Sequence, residues 1–254
     1  MKKIITILCL VVICFYHINP VLAANTKSIS LSEPSSQYLG ITDGAQTGLD
    51  LSGSFTFEVW LKPGTSNSFA LVDKWVGPSD QRSYQIVYHF GYEKWYFDIS
   101  ENGTSADTRL ELADTSIATG EWQHYAFTFN SSDSKIILYR NGSSLVNGTH
   151  PSSSIYNSGS PVFLFGTDYY NGLADEYIIW DDVRTPTEIS ESYNSGNGKI
   201  YVGDEANMVA YWRYEDNLLD LTSNDNDLTN NNSATFSVDV PFSGAVSRRI
   251  INIE

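Results

Sequence analysis

The sequence predicts an all-β protein built as a two-sheet antiparallel sandwich, and three observations support this fold class. Short segments rich in β-branched and aromatic residues recur along the chain, and Gly, Asn, Asp and Ser separate them. Helical periodicity is almost absent. The chain has 254 residues, of which 41% are hydrophobic, so it is long enough to enclose one sizeable core.

Residues 1–24 have the features of a secretory signal peptide. Lys2 and Lys3 precede an apolar run over residues 4–16, which is too short to span a bilayer, and Ala23 and Ala24 suit a cleavage site. Both cysteines of the sequence lie inside this segment. We therefore expect a secreted or cell-surface protein without disulfide bonds.

The net charge of the chain indicates which classes of binding partner are disfavoured. Acidic residues outnumber basic ones 30 to 15, and the formal net charge is −15. Nucleic-acid binding needs a basic surface, so this balance argues against it and against anionic membranes. It fits solubility and cation binding. No later segment has the length and apolar character of a membrane span.

The first clear strand covers residues 55–61. Its odd-numbered residues are apolar and share one face, while Thr56, Glu58 and Trp60 share the other. The next segments are predicted to form hairpins. A turn is also predicted at Asn141-Gly142, because Asn-Gly accepts the positive φ angles of a type I′ turn. These hairpins pair residues 84–90 with 95–99 and residues 123–129 with 136–140, and further strands cover residues 162–165, 176–180 and 208–214.

One short helix is predicted near residues 186–193. Thr185 and Glu188 have the spacing of a capping box, and Pro186 occupies the first helical position. The helix ends in the segment 194–198, which is rich in Asn and Gly.

Several segments resemble one protein superfamily when they are taken in order. They are Phe55-Thr-Phe-Glu-Val-Trp-Leu-Lys-Pro63, Gly120-Glu-Trp-Gln-His-Tyr-Ala126, Ile137-Leu-Tyr-Arg-Asn-Gly142, Asn171-Gly-Leu-Ala-Asp-Glu-Tyr-Ile-Ile-Trp180 and Arg184-Thr-Pro-Thr-Glu-Ile189. This order resembles the laminin-G-like, concanavalin-A-like lectin/glucanase superfamily over roughly residues 28–240.

The resemblance implies a jelly roll of two curved sheets over residues 25–242, with residues 243–254 as a C-terminal tail or a closing strand. Members bind carbohydrates or protein partners, often with calcium, and a minority are glycoside hydrolases or lyases. The resemblance is specific for the fold and does not identify the ligand.

Asp175 and Glu176 are the most conspicuous carboxylates. Neighbouring residues of a strand point to opposite faces, whereas a retaining glycosidase needs two carboxyl groups about 5–5.5 Å apart on one face. The Glu-x-Asp-x-x-Glu pattern of the superfamily's hydrolases is absent, so catalysis is disfavoured. The resemblance instead makes Asp175 a candidate Ca²⁺ ligand with Asp43 as its partner. The alternative is that Asp175 accepts hydrogen bonds from loop N–H groups.

Seven aromatic residues are candidates for ligand stacking. Two of them share strand parity, so both point to one face, and two others sit on the turn before Asn171-Gly172, where exposure is expected. The alternative for each of the seven is ordinary packing in a sheet. The candidates are Trp75, Tyr84, Tyr88, Tyr92, Trp95, Tyr169 and Tyr170.

These observations predict a secreted, non-catalytic binding module with a glycan or a surface protein as partner. Carbohydrate is the leading ligand, and Ca²⁺ at Asp43 and Asp175 is the candidate structural cofactor. One alternative is a protein-binding or adhesion module of a surface assembly, and another is a divergent glycoside hydrolase or lyase.

Overall fold

Fifteen strands and one α-helix make up the regular structure, apart from short 3₁₀ turns, of the residues that the computed structural model describes. These are residues 24–104, 109–115, 117–166 and 168–243. Nearly all of the predicted signal peptide and of the predicted tail lies outside them. The strands are β1 (Ser28–Leu31), β2 (Tyr38–Ile41), β3 (Phe55–Pro63), β4 (Phe69–Val76), β5 (Gln81–His89), β6 (Lys94–Ile99), β7 (Arg109–Ala113), β8 (Gln123–Asn130), β9 (Lys135–Arg140), β10 (Ser143–Thr149), β11 (Val162–Leu164), β12 (Gly172–Trp180), β13 (Met208–Trp212), β14 (Thr229–Asn231) and β15 (Thr235–Ser237).

The described strands form two antiparallel sheets. Sheet A has the order β10-β9-β8-β3-β12-β1-β15, and β13 pairs with β12 beside this path. Sheet B has the order β14-β2-β11-β4-β5-β6-β7. The predicted all-β jelly-roll sandwich is therefore confirmed.

The core lies between the inner faces of the two sheets. The alternation predicted for residues 55–61 is confirmed, because Phe55, Phe57, Val59 and Leu61 are all fully buried in the main core cluster. Phe55 of sheet A stacks on Phe97 of sheet B, with ring centroids 5.9 Å apart and planes at 11°. Aromatic contacts of this kind join the sheets.

The predicted turn and helix are also confirmed. Asn141 and Gly142 join β9 to β10 with φ angles of 49° and 74°. Helix α1 spans Pro186–Tyr193, and Thr185 and Glu188 form both hydrogen bonds of the capping box. Ile189 packs against outer-face residues of β8 and β9, so α1 covers part of the outer face of sheet A. It is the only α-helix of the described residues, and it packs against sheet A.

A β-bulge interrupts β12 at the predicted acidic pair. Asp175 pairs with Trp60 and Ile178 pairs with Glu58, so two residues of β12 oppose one residue of β3. Glu176 lies in the left-handed region with a φ of 48°. The bulge breaks the regular alternation that the prediction for Asp175 and Glu176 assumed.

Candidate functional site

A cleft of about 500 Å³ opens on the outer face of sheet B. Four aromatic side chains and two carboxylates line it, together with backbone at two glycines. We call it the aromatic cleft. Its lining side chains are Tyr38, Asp73, Trp75, Val76, Phe163, Asp168 and Tyr169.

Strand alternation directs three of these side chains outward. In β2 the neighbour of Tyr38 is Leu39, which is fully buried, and in β11 Phe163 stands between two fully buried residues. Phe163 pairs with Gly40 on one side and with Asp73 on the other. The cleft therefore forms across β2, β11 and β4, which are neighbours in the sheet but distant in sequence.

The backbone at two glycines and the ring of Tyr38 pack closely against Phe163. A Cβ atom at Gly40 would lie 2.8 Å from Phe163 Cδ1, and one at Gly166 would lie 2.9 Å from Phe163 Cβ. The ring of Tyr38 meets it edge-on at 5.3 Å. The ring thus lies against the backbone at Gly40, in space that a larger residue there would occupy.

A strained turn delivers Asp168 and Tyr169 to the cleft. Phe165, Asp168 and Tyr169 all have positive φ angles, a conformation that costs non-glycine residues free energy. Asn67 Nδ2 donates a 2.9 Å hydrogen bond to the carbonyl oxygen of Tyr169 and so secures the turn. The next residue, Tyr170, points the other way and is fully buried.

Alternation in β4 also directs Trp75 into the cleft, because the buried Lys74 stands between it and Asp73. The register shift between Lys74 and Trp75 places the extra residue, Ser83, on β5. Lys74 is buried inside the sandwich, where its ammonium group lies 2.6 Å from Asp43 and 3.1 Å from Asp50. Trp75 is half-buried. The Arg82 guanidinium lies 5.9 Å from the centroid of the Trp75 ring and makes a cation–π contact with it.

The structure separates the seven predicted stacking residues into three groups. Trp75 and Tyr169 line the aromatic cleft. Tyr92 is 63% exposed but stacks on His89 and lies outside the cleft lining.

For the remaining four the prediction of a ligand contact is wrong, because all of them are core residues. Tyr84 and Tyr88 do share a face, as their parity predicted, but it is the inner face of sheet B. Trp95 and Tyr170 are fully buried against Phe69, with ring centroids 5.6 and 4.7 Å away.

Four aromatic or acidic residues of the cleft were not predicted. The sequence contained a signal that Tyr38 and Asp73 face outward, since Tyr38 alternates with Leu39 and Asp73 is the one carboxylate in the apolar start of β4. It contained no such signal for Phe163, because the run Val162-Phe-Leu-Phe165 is apolar at every position. Asp168 belongs to a turn whose shape depends on tertiary contacts.

The two predicted Ca²⁺ ligands have separate partners. Asp43 accepts a 2.6 Å hydrogen bond from Lys74, whereas Asp175 accepts one of 2.9 Å from Asn25 Nδ2. Among the described residues no group of three or more His, Cys, Asp or Glu side chains is arranged to hold a metal ion. The structure therefore does not bring Asp43 and Asp175 together.

Asp175 and Glu176 belong to one buried polar cluster on sheet A. The hydroxyl of Tyr211 donates to Glu176 Oε2, and the Arg213 Nε lies 3.3 Å from Glu176 Oε1. Burial raises the pKa of Glu176 to about 7, and burial together with the Glu176 charge raises that of Asp175. The two carboxyl groups interact through this cluster, so the prediction that alternation separates them is wrong. Both are at most 3% exposed.

Comparison with known proteins identifies relatives of this fold. The sequence model of the family Laminin_G_3, described as the concanavalin A-like lectin/glucanases superfamily, matches residues 33–190. No curated protein sequence matches the chain. Two of the solved structures that share the fold at low identity have TM-scores above 0.5.

The first is a candidate carbohydrate-binding protein from Bacteroides ovatus, with a TM-score of 0.61 and 13% identity over 87% of this chain and 62% of that one. This chain thus spans less than two thirds of that protein. The second is the heptameric SAP-like pentraxin of Limulus polyphemus, with a TM-score of 0.57 and 15% identity over 84% of this chain and 94% of that one. Because the family match covers more than half of its length, the chain belongs to the Laminin_G_3 family of the concanavalin A-like lectin/glucanases superfamily.

Proposed function

We propose that the chain is a carbohydrate-binding module and that its ligand occupies the aromatic cleft. The observation that carries this proposal is the grouping of four aromatic rings with the exposed Asp168 and the 5% exposed Asp73 on the outer face of sheet B. The C–H faces of sugar rings pack on aromatic rings, and carboxylate oxygens accept hydrogen bonds from sugar hydroxyl groups. The candidate carbohydrate-binding protein of the same fold supports the same ligand class.

The charge of the cleft favours a neutral glycan. Asp73 and Asp168 are the charged side chains of its lining, and both are acidic. The nearby Arg82 guanidinium, which lies against Trp75, is paired with Asp80 at 3.3 Å. The whole chain carries a formal net charge of −15. An anionic sugar would meet repulsion of the same sign from the cleft and from the surrounding surface.

We expect binding to neutral oligosaccharides and none to oligogalacturonate. A glycan array followed by calorimetric titration at low salt measures both, since repulsion is least screened there. Tighter binding of the anionic sugar would contradict the charge argument. Absence of binding to any glycan at millimolar concentration would contradict the proposal and favour the protein-binding alternative. Cleavage of a bound glycan, followed by chromatography, would instead favour the hydrolase or lyase alternative.

We also propose that Asp175 binds Ca²⁺ together with Asn25. The Oδ1 atom of Asn25 is buried and has no hydrogen-bond partner, and its amide nitrogen already contacts Asp175. Ca²⁺ takes six to eight oxygen ligands, including carboxylate and amide oxygens, so these two side chains would supply two of them.

Chelation should lower the melting temperature of the wild type and leave that of Asp175→Asn unchanged. Saturation at 100 times Kd contributes about 2.7 kcal/mol, which corresponds to a shift of roughly 5–10 °C for a chain of this size. Differential scanning calorimetry with and without EDTA makes the comparison. An unchanged wild-type melting temperature would contradict Ca²⁺ binding at Asp175 and Asn25.

We propose that this module acts outside the cytoplasm, on the basis of the charged start and the apolar run of residues 1–24. No α-helix among the described residues has the length and apolar character needed to cross a bilayer. Cell fractionation followed by N-terminal sequencing tests this location. A protein that stays in the cytoplasm with an intact Met1 would contradict the proposed export.

A further inference from the structure

A second hollow adjoins the aromatic cleft on the outer face of sheet B. It has a volume of about 200 Å³ and lies between β2, β11 and β14. Phe163 lines both the hollow and the cleft. We call it the β14 hollow, and its lining includes Gly40, Thr42, Pro161, Thr229 and Asn231.

The hollow and the cleft lie in line across the strands. Thr229 pairs with Gly40, Gly40 pairs with Phe163, and Phe163 pairs with Asp73. Adjacent strands are ~4.8 Å apart, so this row extends about 14 Å from Thr229 to Asp73. That distance is longer than one sugar ring.

The ring of Phe163 stands between the two depressions. It occupies space that a Cβ atom at Gly40 would fill, and the ring of Tyr38 packs against its edge. A ligand that stacks on this ring can therefore extend into both depressions.

The chemistry of the β14 hollow suits the continuation of a neutral chain. Its lining carries hydroxyl groups from Thr42 and Thr229 and the amide of Asn231, but no charged side chain. Asn231 Nδ2 donates a 3.2 Å hydrogen bond to the carbonyl oxygen of Thr229, which orders its side chain. The two β14 residues lie beyond residues 33–190, so this part of the surface comes from outside the family match.

We propose that the β14 hollow is a further subsite for the same ligand, which is then a linear neutral oligosaccharide of at least two sugar rings. This inference rests on the proposed function of the aromatic cleft. One end of the ligand lies beside Trp75, the middle stacks on Phe163, and the other end reaches Asn231.

A length series combined with a filled hollow tests this inference. The probes are the mono-, di- and trisaccharide of the neutral glycan that binds best in the array. For the wild type we expect Kd to fall at least tenfold from monosaccharide to trisaccharide. Asn231→Trp fills the hollow, and it should weaken trisaccharide binding at least tenfold while leaving monosaccharide binding unchanged. Thr235→Trp, on an exposed strand of sheet A, is the matched control.

Each outcome separates the two proposals. Equal affinity for mono- and trisaccharide, or a trisaccharide affinity that Asn231→Trp leaves unchanged, would overturn the second subsite. If the monosaccharide then still binds and Trp75→Ala abolishes that binding, the proposed function of the cleft stands. Failure of every neutral sugar to bind would overturn both. A melting temperature of Asn231→Trp within a few degrees of the wild type shows that the substitution acts locally.

Discussion

Replacing Trp75 with alanine should weaken binding of the neutral oligosaccharide about 30-fold or more. Trp75 has the largest ring of the aromatic cleft, and the Arg82 guanidinium lies 5.9 Å from its centroid. Truncation of an aromatic hot-spot residue of a binding site costs about 2 kcal/mol or more, which corresponds to this change in Kd. Calorimetric titration of both proteins with the same oligosaccharide measures it.

Tyr92→Ala is the control for this experiment. Tyr92 is also an exposed aromatic residue, but it lies outside the cleft lining, so its removal should change Kd by less than twofold. Equal losses for the two variants, or a loss only for Tyr92→Ala, would show that the ligand binds elsewhere. Asp168→Asn removes one carboxylate from an exposed turn and provides a second cleft variant that should fold normally.

Replacing Arg213 with methionine should destabilise the fold by about 3–5 kcal/mol at pH 8. The guanidinium is the opposite charge nearest to the buried carboxylate of Glu176, and methionine keeps much of its apolar volume. Without the guanidinium the carboxylate remains buried without an opposite charge. Urea unfolding of the wild type and the variant gives the difference in free energy.

The size of this effect should depend on pH. Burial raises the pKa of Glu176 in the folded state to about 7, above its unfolded value. The folded state therefore binds this proton more tightly, and the stability that protonation supplies is present below about pH 4.5 and is lost as pH rises through 7. Arg213 offsets the loss by pairing with the carboxylate, so Arg213→Met should cost much less at pH 5 than at pH 8.

The double variant Glu176→Gln/Arg213→Met is the control for the charge argument. A neutral amide at residue 176 needs no cation, so the double variant should recover most of the stability at pH 8. An equal loss at pH 5 and pH 8, or no recovery in the double variant, would mean that Arg213 contributes packing rather than charge.

Local sequence patterns were sufficient to predict the elements whose formation depends on neighbouring residues. Alternation placed Phe55 and Leu61 in the core, Asn141-Gly142 formed the expected turn, and Thr185 began the helix. Each of these signals operates within a few residues, so nearby sequence contains the whole cause.

The site depends on contacts that local patterns do not contain. Parity showed that Tyr84 and Tyr88 share a face, but which face is inner depends on the position of the other sheet. Phe163 and Asp73 are neighbours only because β11 pairs with β4. The bulge at Glu176 depends on the register of β12 against β3, so regular alternation misplaced that carboxyl group.

A crystal structure of the chain with its best-binding neutral oligosaccharide shows directly where the ligand binds. We expect a sugar ring packed beside Trp75, a hydroxyl group within hydrogen-bond distance of Asp73 or Asp168, and a chain that continues over Phe163 towards Asn231. A ligand bound at another surface, with the aromatic cleft unoccupied, would contradict carbohydrate binding at the cleft.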